Sequence, residues 1–213
     1  MITRVVLADD HRMFRQALRA MLSSEAEIEI VGEVTNGIEL LQVALETKPD
    51  VVCVDIGMPK LNGIEATRRL RKSHPEIKVV ALSAFHDRDL VLDMIKAGAW
   101  GYVTKSDAGE ELLRAIRTVI TSHRYLSPAI SDIVMGGIVE NRHVAVSGAR
   151  LGARERQVLQ LVAEGMTSAQ IADALHLAQA TIEVHRRNIM RKLNLHTVAE
   201  LTKFAIRKGL TDG

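Results

Sequence analysis

The chain has 213 residues, 47% of them hydrophobic and 25% charged, with a formal net charge of +2. This is the balance of a globular protein rather than a disordered one, and no apolar run reaches the roughly 20 residues that a membrane-spanning helix needs. Cys53 is the one cysteine, which excludes an intrachain disulfide and a cysteine-built zinc site and points, with an N-terminus lacking a secretion-signal layout, to the cytoplasm.

The first half alternates strand-like and helix-like segments. Val5-Val6-Leu7-Ala8 is a short apolar run that ends in Asp9-Asp10. Phe14, Ala17, Leu18, Met21 and Leu22 then recur at helical spacing over residues 12–22. Ile28–Val34 reads as a second strand and Gly37–Leu45 as a second helix. Val51-Val52-Cys53-Val54 is a fully apolar third strand that again ends in an acid, Asp55. A helix over Gly63–Lys72, a strand over Lys78–Leu82, a helix over residues 87–97, a strand over Gly101–Thr104 and a helix over Ala108–Ile120 complete the series. Five apolar strands alternating with five helices predict a doubly wound α/β fold around a five-stranded parallel sheet covered on both faces.

The texture changes after residue 121. Leu126-Ser127-Pro128 reads as a helix start, with Ser127 as N-cap and Pro128 in the first position, the helix running to about Met135 and ending at Gly136-Gly137. Residues 140–150 show no sustained period and read as linker. From residue 153 only helical patterns occur, broken at Gly165-Met166-Thr167, His176-Leu177-Ala178 and Asn194-Leu195-His196. The expected organisation is therefore an α/β domain over 1–121, a linker with a short helix over 122–150, and a small all-α domain over 151–213. The first segment is slightly acidic and the last slightly basic, a weak pointer to an anionic partner for the latter.

In open sheets of this kind ligands sit beyond the carboxyl ends of the strands. Asp9, Asp10 and Asp55 all fall there, as do Ser83 after the fourth strand and Lys105 after the fifth. Three converging carboxylates need a compensating cation, and hard oxygen donors favour Mg²⁺. Such a centre lets one carboxylate act as a nucleophile toward phosphorus, with Lys105 and Ser83 placed to meet phosphoryl oxygens. Singly, each residue has a plainer reading: Asp9 or Asp10 as a helix cap, Lys105 as a solvated lysine. The coincidence at the ends of strands one, three, four and five is what outweighs it.

These residues carry a resemblance. Asp9-Asp10, the run Asp55-Ile-Gly-Met-Pro-Lys-Leu-Asn-Gly63, Leu82-Ser83-Ala84 and Gly98-Ala-Trp-Gly-Tyr-Val-Thr-Lys105 resemble the receiver domain of response regulators, a flavodoxin-like fold, across residues 3–121. The resemblance implies Asp55 as phosphoacceptor, Asp10 as the principal metal ligand with Asp9 assisting, and the backbone carbonyl of Gly57 completing the protein's share of the Mg²⁺ shell. It also implies Ser83 and Tyr102 as a switch pair, in which the hydroxyl follows the phosphoryl group and the ring turns inward. Ser106 stands where many receivers have proline. Trp100, the one tryptophan, lies two residues before Tyr102 and suggests a fluorescence probe of the pocket.

The rear domain contains a helix–turn–helix pattern: Ser168–Leu175, a turn at His176-Leu177-Ala178, and a second helix over Thr181–Leu193. In that helix Ile182, Ile189 and Leu193 share one face, at about 3.6 residues per turn. Val184, Arg187 and Arg191 project from the other, where a major groove could receive them. Arg186, Arg187, Arg191 and Lys192 against Glu183 make the helix basic, as phosphate and guanine contacts require. Leu151-Gly-Ala-Arg-Glu-Arg-Gln-Val-Leu159, Ala163-Glu-Gly165, Gln170-Ile-Ala172 and the run Thr181–Leu193 resemble the LuxR-type DNA-binding domain. With the receiver, the chain is similar to the NarL/FixJ family.

That resemblance implies a transcriptional response regulator of a two-component system, not an enzyme, phosphorylated by a sensor histidine kinase. Its further partners would be promoter DNA, RNA polymerase and a second copy of itself on DNA. Base contacts would come from Glu183, Val184 and Arg187, phosphate contacts from Thr181, Arg191 and Lys192, and pairing of two copies from the last helix through Val198, Leu201, Thr202 and Ala205, with His185 packed inside. Two positions depart from the family pattern. Gly152 replaces the usual Thr or Ser N-cap, so the reciprocal capping box with Glu155 is lost. Glu183 stands where some members have lysine and would accept from cytosine.

Other readings fit less well. A phosphatase of the haloacid dehalogenase type needs a second Asp two residues after the first, where Gly57 stands. A dinucleotide-binding enzyme needs glycines in the first strand–helix turn, which reads Ala8-Asp-Asp-His-Arg12. A regulator acting by protein contact alone is disfavoured by the basic helix.

Overall fold

The computed structural model describes residues 2–84, 87–132, 134 and 151–211, which fall in two compact units, Met1–Arg142 and His143–Gly213. In the first unit β1 (Thr3–Ala8), α1 (Arg12–Ser23), β2 (Ile28–Val34), α2 (Gly37–Thr47), β3 (Val51–Asp55), α3 (Gly63–Ser73), β4 (Lys78–Ser83), α4 (Arg88–Ala97), β5 (Gly101–Thr104) and α5 (Glu110–Ile120) alternate as the sequence pattern predicts. A further short strand, β6 (Tyr125–Leu126), follows. All pair in parallel in the order β2-β1-β3-β4-β5-β6. The central strand β3 has no solvent exposure from Val51 to Val54, which is why it reads as an unbroken apolar run rather than an alternation.

Register decides where the polar residues surface. Ala8 pairs with Val54, Asp55 with Leu82, and Ser83 with Thr104. Asp55 and Ser83 end β3 and β4, and Asp9 and Lys105 follow one step beyond β1 and β5, so the four emerge together at the carboxyl edge. The helices start on side-chain caps at Asn36, Asn62 and Asp87, each oxygen accepting backbone N–H bonds. His11, not an aspartate, is the N-cap residue of α1, and it makes no side-chain cap bond. Asp9 Oδ1 instead accepts the His11 amide at 2.8 Å.

Three local features differ from expectation. First, the sheet extends to β6, with Tyr125 N–H donating to Trp100 O and Ser127 N–H to Tyr102 O, both at 3.0 Å. Two residues carry no readable period, and Pro128, lacking an N–H, ends the pairing at once. Second, residues 128–132 are helical, and the Ser127 carbonyl accepts from Ile130 and Ser131. The Ser127 hydroxyl is buried without a hydrogen-bond partner among the described residues, so the capping is by backbone. Met135, Gly136-Gly137 and residues 140–150 lie outside the described residues. Third, α5 begins at Glu110, because Lys105–Asp107 form a 3₁₀ turn. The Thr104 hydroxyl closes that turn by donating to Asp107 at 2.6 Å.

The second unit consists of α6 (Ala153–Ala163), α7 (Ser168–Leu175), α8 (Gln179–Leu193) and α9 (Val198–Arg207). Val158, Leu159, Ile171, Ile182, Ile189, Leu201 and Ala205 form its core, each at most 1% exposed. Thr167 with Gln170, and Thr197 with Glu200, form reciprocal capping boxes that start α7 and α9. His176 and Asn194 end α7 and α8 in the left-handed region, φ 52° in both. At α6 half of the box survives: Glu155 Oε2 accepts the Gly152 amide at 2.8 Å, and only the return bond is missing because glycine has no side chain.

Candidate functional site

At the carboxyl edge of the sheet, Asp9 and Asp55 are 1% and 4% exposed, and a lysine ammonium lies between them. Lys105 Nζ is 2.8 Å from Asp9 Oδ2 and 2.9 Å from Asp55 Oδ2. Burial pushes the Asp55 carboxyl up to about 6; the Lys105 charge pulls it down, the Asp9 charge raises it and the Gly57 amide lowers it. For Lys105, burial works against the charge, but the facing Asp55 and Asp9 carboxylates outweigh it and hold the ammonium above the ordinary lysine range.

The backbone leaves no slack around Asp55. A Cβ on Gly63 would stand 2.1 Å from the Asp55 carbonyl oxygen. Only a glycine allows α3 to start this close to the end of β3, and its amide donates to Ile56 O at 3.0 Å.

Ligand atoms of Asp9, Asp10, His11 and Asp55 lie within 4.8 Å of one another. An all-oxygen set of three carboxylates suits a hard divalent cation. His11 is the group that sequence reasoning passed over. Its Nδ1 is 3.0 Å from Asp10 Oδ1, 3.3 Å from Asp9 Oδ1 and 3.5 Å from Lys105 Nζ. Its only sequence signal is adjacency to the two acids.

Ser83 is 2% exposed and Tyr102 fully buried. The phenol is hydrogen-bonded to Ser83; burial pushes it up to about 12, a shift that the Ser83 bond tempers and the nearby Asp55 and Asp87 charges reinforce. The ring is thus already turned inward. Trp100, in contrast, precedes β5 at the end of the sheet away from the pocket. It packs under Lys78 Nζ, 3.4 Å from the ring centroid, and Arg124, 5.4 Å away. A four-residue strand spans ~13 Å at about 3.3 Å per residue, so Trp100 reports on that far edge rather than on the pocket.

On α8 the described side chains sort as the spacing predicts. Ile182 and Ile189 are buried, Val184 is 49% exposed, and Glu183, Arg187 and Arg191 are exposed. Thr181 and His185 are half-buried. Arg186 donates to Ser168 Oγ at 2.7 Å and the exposed Lys192 to Glu155 Oε2 at 2.7 Å, both off the helix, whereas Arg191 donates to Asn188 on α8 itself at 3.0 Å. The expected pairing surface on α9 needs correction. Leu201 and Ala205 have no exposure because they face the core of their own domain, whereas Val198 is 43% exposed and Thr202 half-buried. No described helix is long and apolar enough to cross a membrane.

The model for the response regulator receiver domain matches residues 5–117, and that for bacterial regulatory proteins of the luxR family matches residues 149–205. The oxygen regulatory protein NreC of Staphylococcus epidermidis is 33% identical over 98% of this chain and 99% of its own length. The chain belongs to the NarL/FixJ family of response regulators. NreC of Staphylococcus carnosus is 31% identical over 98% of this chain and 99% of its own. Among solved structures, a LuxR-family two-component response regulator from Aurantimonas superposes with a TM-score of 0.64 at 31% identity, over 66% of this chain and all of that one. The RcsB response regulator of Salmonella typhimurium gives 0.74 at 22% identity over 99% and 98%, a likeness of fold. This NarL/FixJ regulator is accordingly a DNA-binding transcription regulator of a two-component system, from a family without enzymatic turnover.

Proposed function

We propose that Asp55 is the phosphoacceptor of this regulator and that its phosphorylation by a sensor histidine kinase controls DNA binding by α8. The observation that carries the reading is the pocket: a buried carboxylate at the end of β3, held 2.9 Å from the Lys105 ammonium, with the Ser83–Tyr102 pair behind it. An Asp55 oxygen attacks phosphorus, the bond to the donor imidazole nitrogen breaks, and the electron pair leaves with the imidazole. Lys105 then meets a phosphoryl oxygen, and Ser83 donates to another. Mg²⁺ held by Asp10 and Asp55, with Asp9 assisting and the Gly57 carbonyl completing the protein's share, would shield the incoming phosphoryl charge.

Base contacts would come from Glu183, Val184 and Arg187, which stand exposed on α8, and phosphate contacts from Thr181 and Arg191; Lys192, the third phosphate contact that the resemblance implies, is held by Glu155. A second copy would pair through the exposed part of α9, and RNA polymerase is the partner at the promoter. The domain division over 1–121, 122–150 and 151–213 and a cytoplasmic location complete the reading. Labelling with acetyl phosphate in Mg²⁺ tests the first half: wild type incorporates phosphate and Asp55→Asn does not; equal labelling removes Asp55 from its role. For the second half, Arg187→Ala should lower affinity for the promoter DNA of the regulator's own operon, and an unchanged affinity counts against α8.

A further inference from the structure

A single carboxylate oxygen ties the start of α6 to the end of α8. Glu155 Oε2 accepts from the Gly152 amide at 2.8 Å and from the Lys192 ammonium at 2.7 Å. Glu155 lies in the first turn of α6 and Lys192 in the last turn of α8, 37 residues apart. The Glu155 side chain is 11% exposed, which leaves its charge and lone pairs to be matched within the protein, and Lys192, 39% exposed, meets it from the surface. Burial works against its ionised form, yet the Lys192 and Gly152 bonds outweigh it and hold the carboxyl below its ordinary range. The positions also suit the helix dipoles, with the acid at an N-terminus and the base at a C-terminus.

We infer that Lys192 is a positioning residue rather than a DNA-phosphate contact: it fixes the angle of the recognition helix through Glu155, and the same oxygen couples that helix to Gly152, where the chain enters the domain. The inference rests on reading α8 as the DNA-contacting helix. Phosphate neutralisation then falls to cations such as Arg191, whose bond among the described residues is to Asn188 on its own helix.

Salt dependence separates the roles, since a lysine that neutralises a phosphate contributes about 0.9 to the slope of log K against log [salt]. The full chain is titrated by fluorescence anisotropy against a mixed-sequence 30-base-pair duplex over a range of KCl concentrations. Lys192→Met and Glu155→Gln should each weaken binding by about three- to tenfold with the wild-type slope retained. Lys192→Arg should restore affinity, and Arg191→Met should lower the slope by about 0.9. A slope lowered by Lys192→Met, with Glu155→Gln indistinguishable from wild type, overturns the inference. A second measurement is independent of DNA. Urea midpoints should fall in each single variant, and the double variant Glu155→Gln/Lys192→Met should fall little further; additive losses overturn the pairing. If Arg187→Ala and Arg191→Met leave DNA binding untouched, the reading of α8 has failed instead, and the urea cycle still decides the pair.

Discussion

The ammonium of Lys105 stands 2.9 Å from the Asp55 carboxylate, and the same nitrogen reaches Asp9 at 2.8 Å. One cation thus serves two buried acids, and burial, only partly offset by the Lys105 charge and reinforced by the Asp9 charge, pushes the Asp55 carboxyl up to about 6. Between its ordinary value of 3.8 and about 6, the folded protein binds this proton and the unfolded chain does not. Stability present at low pH is therefore lost as pH rises through that window. A shift of about two units corresponds to roughly 3 kcal/mol. In EDTA, the stability of Asp55→Asn relative to wild type should accordingly increase from about pH 4 to about pH 7 and then level off. Adding Mg²⁺ at neutral pH should narrow the difference, because it stabilises the wild type more than a variant that has lost one of its carboxylate ligands. Urea titrations across pH check both, and a difference that stays flat sinks the account.

Gly63 offers a test of how tightly the backbone holds that carboxylate. A Cβ there meets the Asp55 carbonyl oxygen at 2.1 Å, and the obstacle is backbone, which cannot rotate away. Gly63→Ala should destabilise the receiver by about 1–3 kcal/mol, the range for overpacking, and should slow acetyl-phosphate labelling of Asp55 although no pocket side chain has changed. Stability near wild type with unaltered labelling would contradict the close approach.

Much of the pocket was legible because parallel strands buried on both faces read as apolar runs with sharp ends. Val51–Val54 is short and mostly β-branched, as a buried strand requires, and the acid that follows then lies at the strand end. What escaped was set by contacts without a period. β6 is two residues paired to an edge, and Glu155 meets Lys192 across 37 positions. His11 enters the pocket because β1 turns into α1 there, which no spacing announces. For Leu201 and Ala205 the signal was present and ran the other way: a spacing of four on an amphipathic helix marks the buried face, and the family expectation of a pairing helix overrode it.

The β5–β6 pairing makes Tyr102 a junction between the pocket and the segment leading to the second domain. Its side chain is hydrogen-bonded to Ser83 while its carbonyl accepts the Ser127 amide at 3.0 Å. Hydrogen exchange should show the Tyr125 and Ser127 amides protected in the unphosphorylated protein. Beryllofluoride with Mg²⁺, a phosphoryl mimic, should alter that protection together with that of β5. Exchange of residues 125–127 that stays constant while β5 responds would disconnect the linker strand from the switch.

The last helix allows packing and pairing to be separated. Leu201 and Ala205 are fully buried against their own domain, so Leu201→Ala should cost about 2–5 kcal/mol, the range for emptying a core leucine site. DNA binding would then fail through unfolding, at any protein concentration. Val198, the first residue of α9, is 43% exposed. Val198→Glu changes a residue outside the buried core and places a charge at the start of α9, so stability should stay within about 0.5 kcal/mol of wild type by urea titration. If two copies meet there on DNA, this variant should still fold and bind one half-site, but lose the second, slower-migrating complex in a gel-shift titration. Retention of both complexes moves the pairing surface off the start of α9, whereas a folded Leu201→Ala protein of wild-type stability would contradict the burial on which the distinction stands.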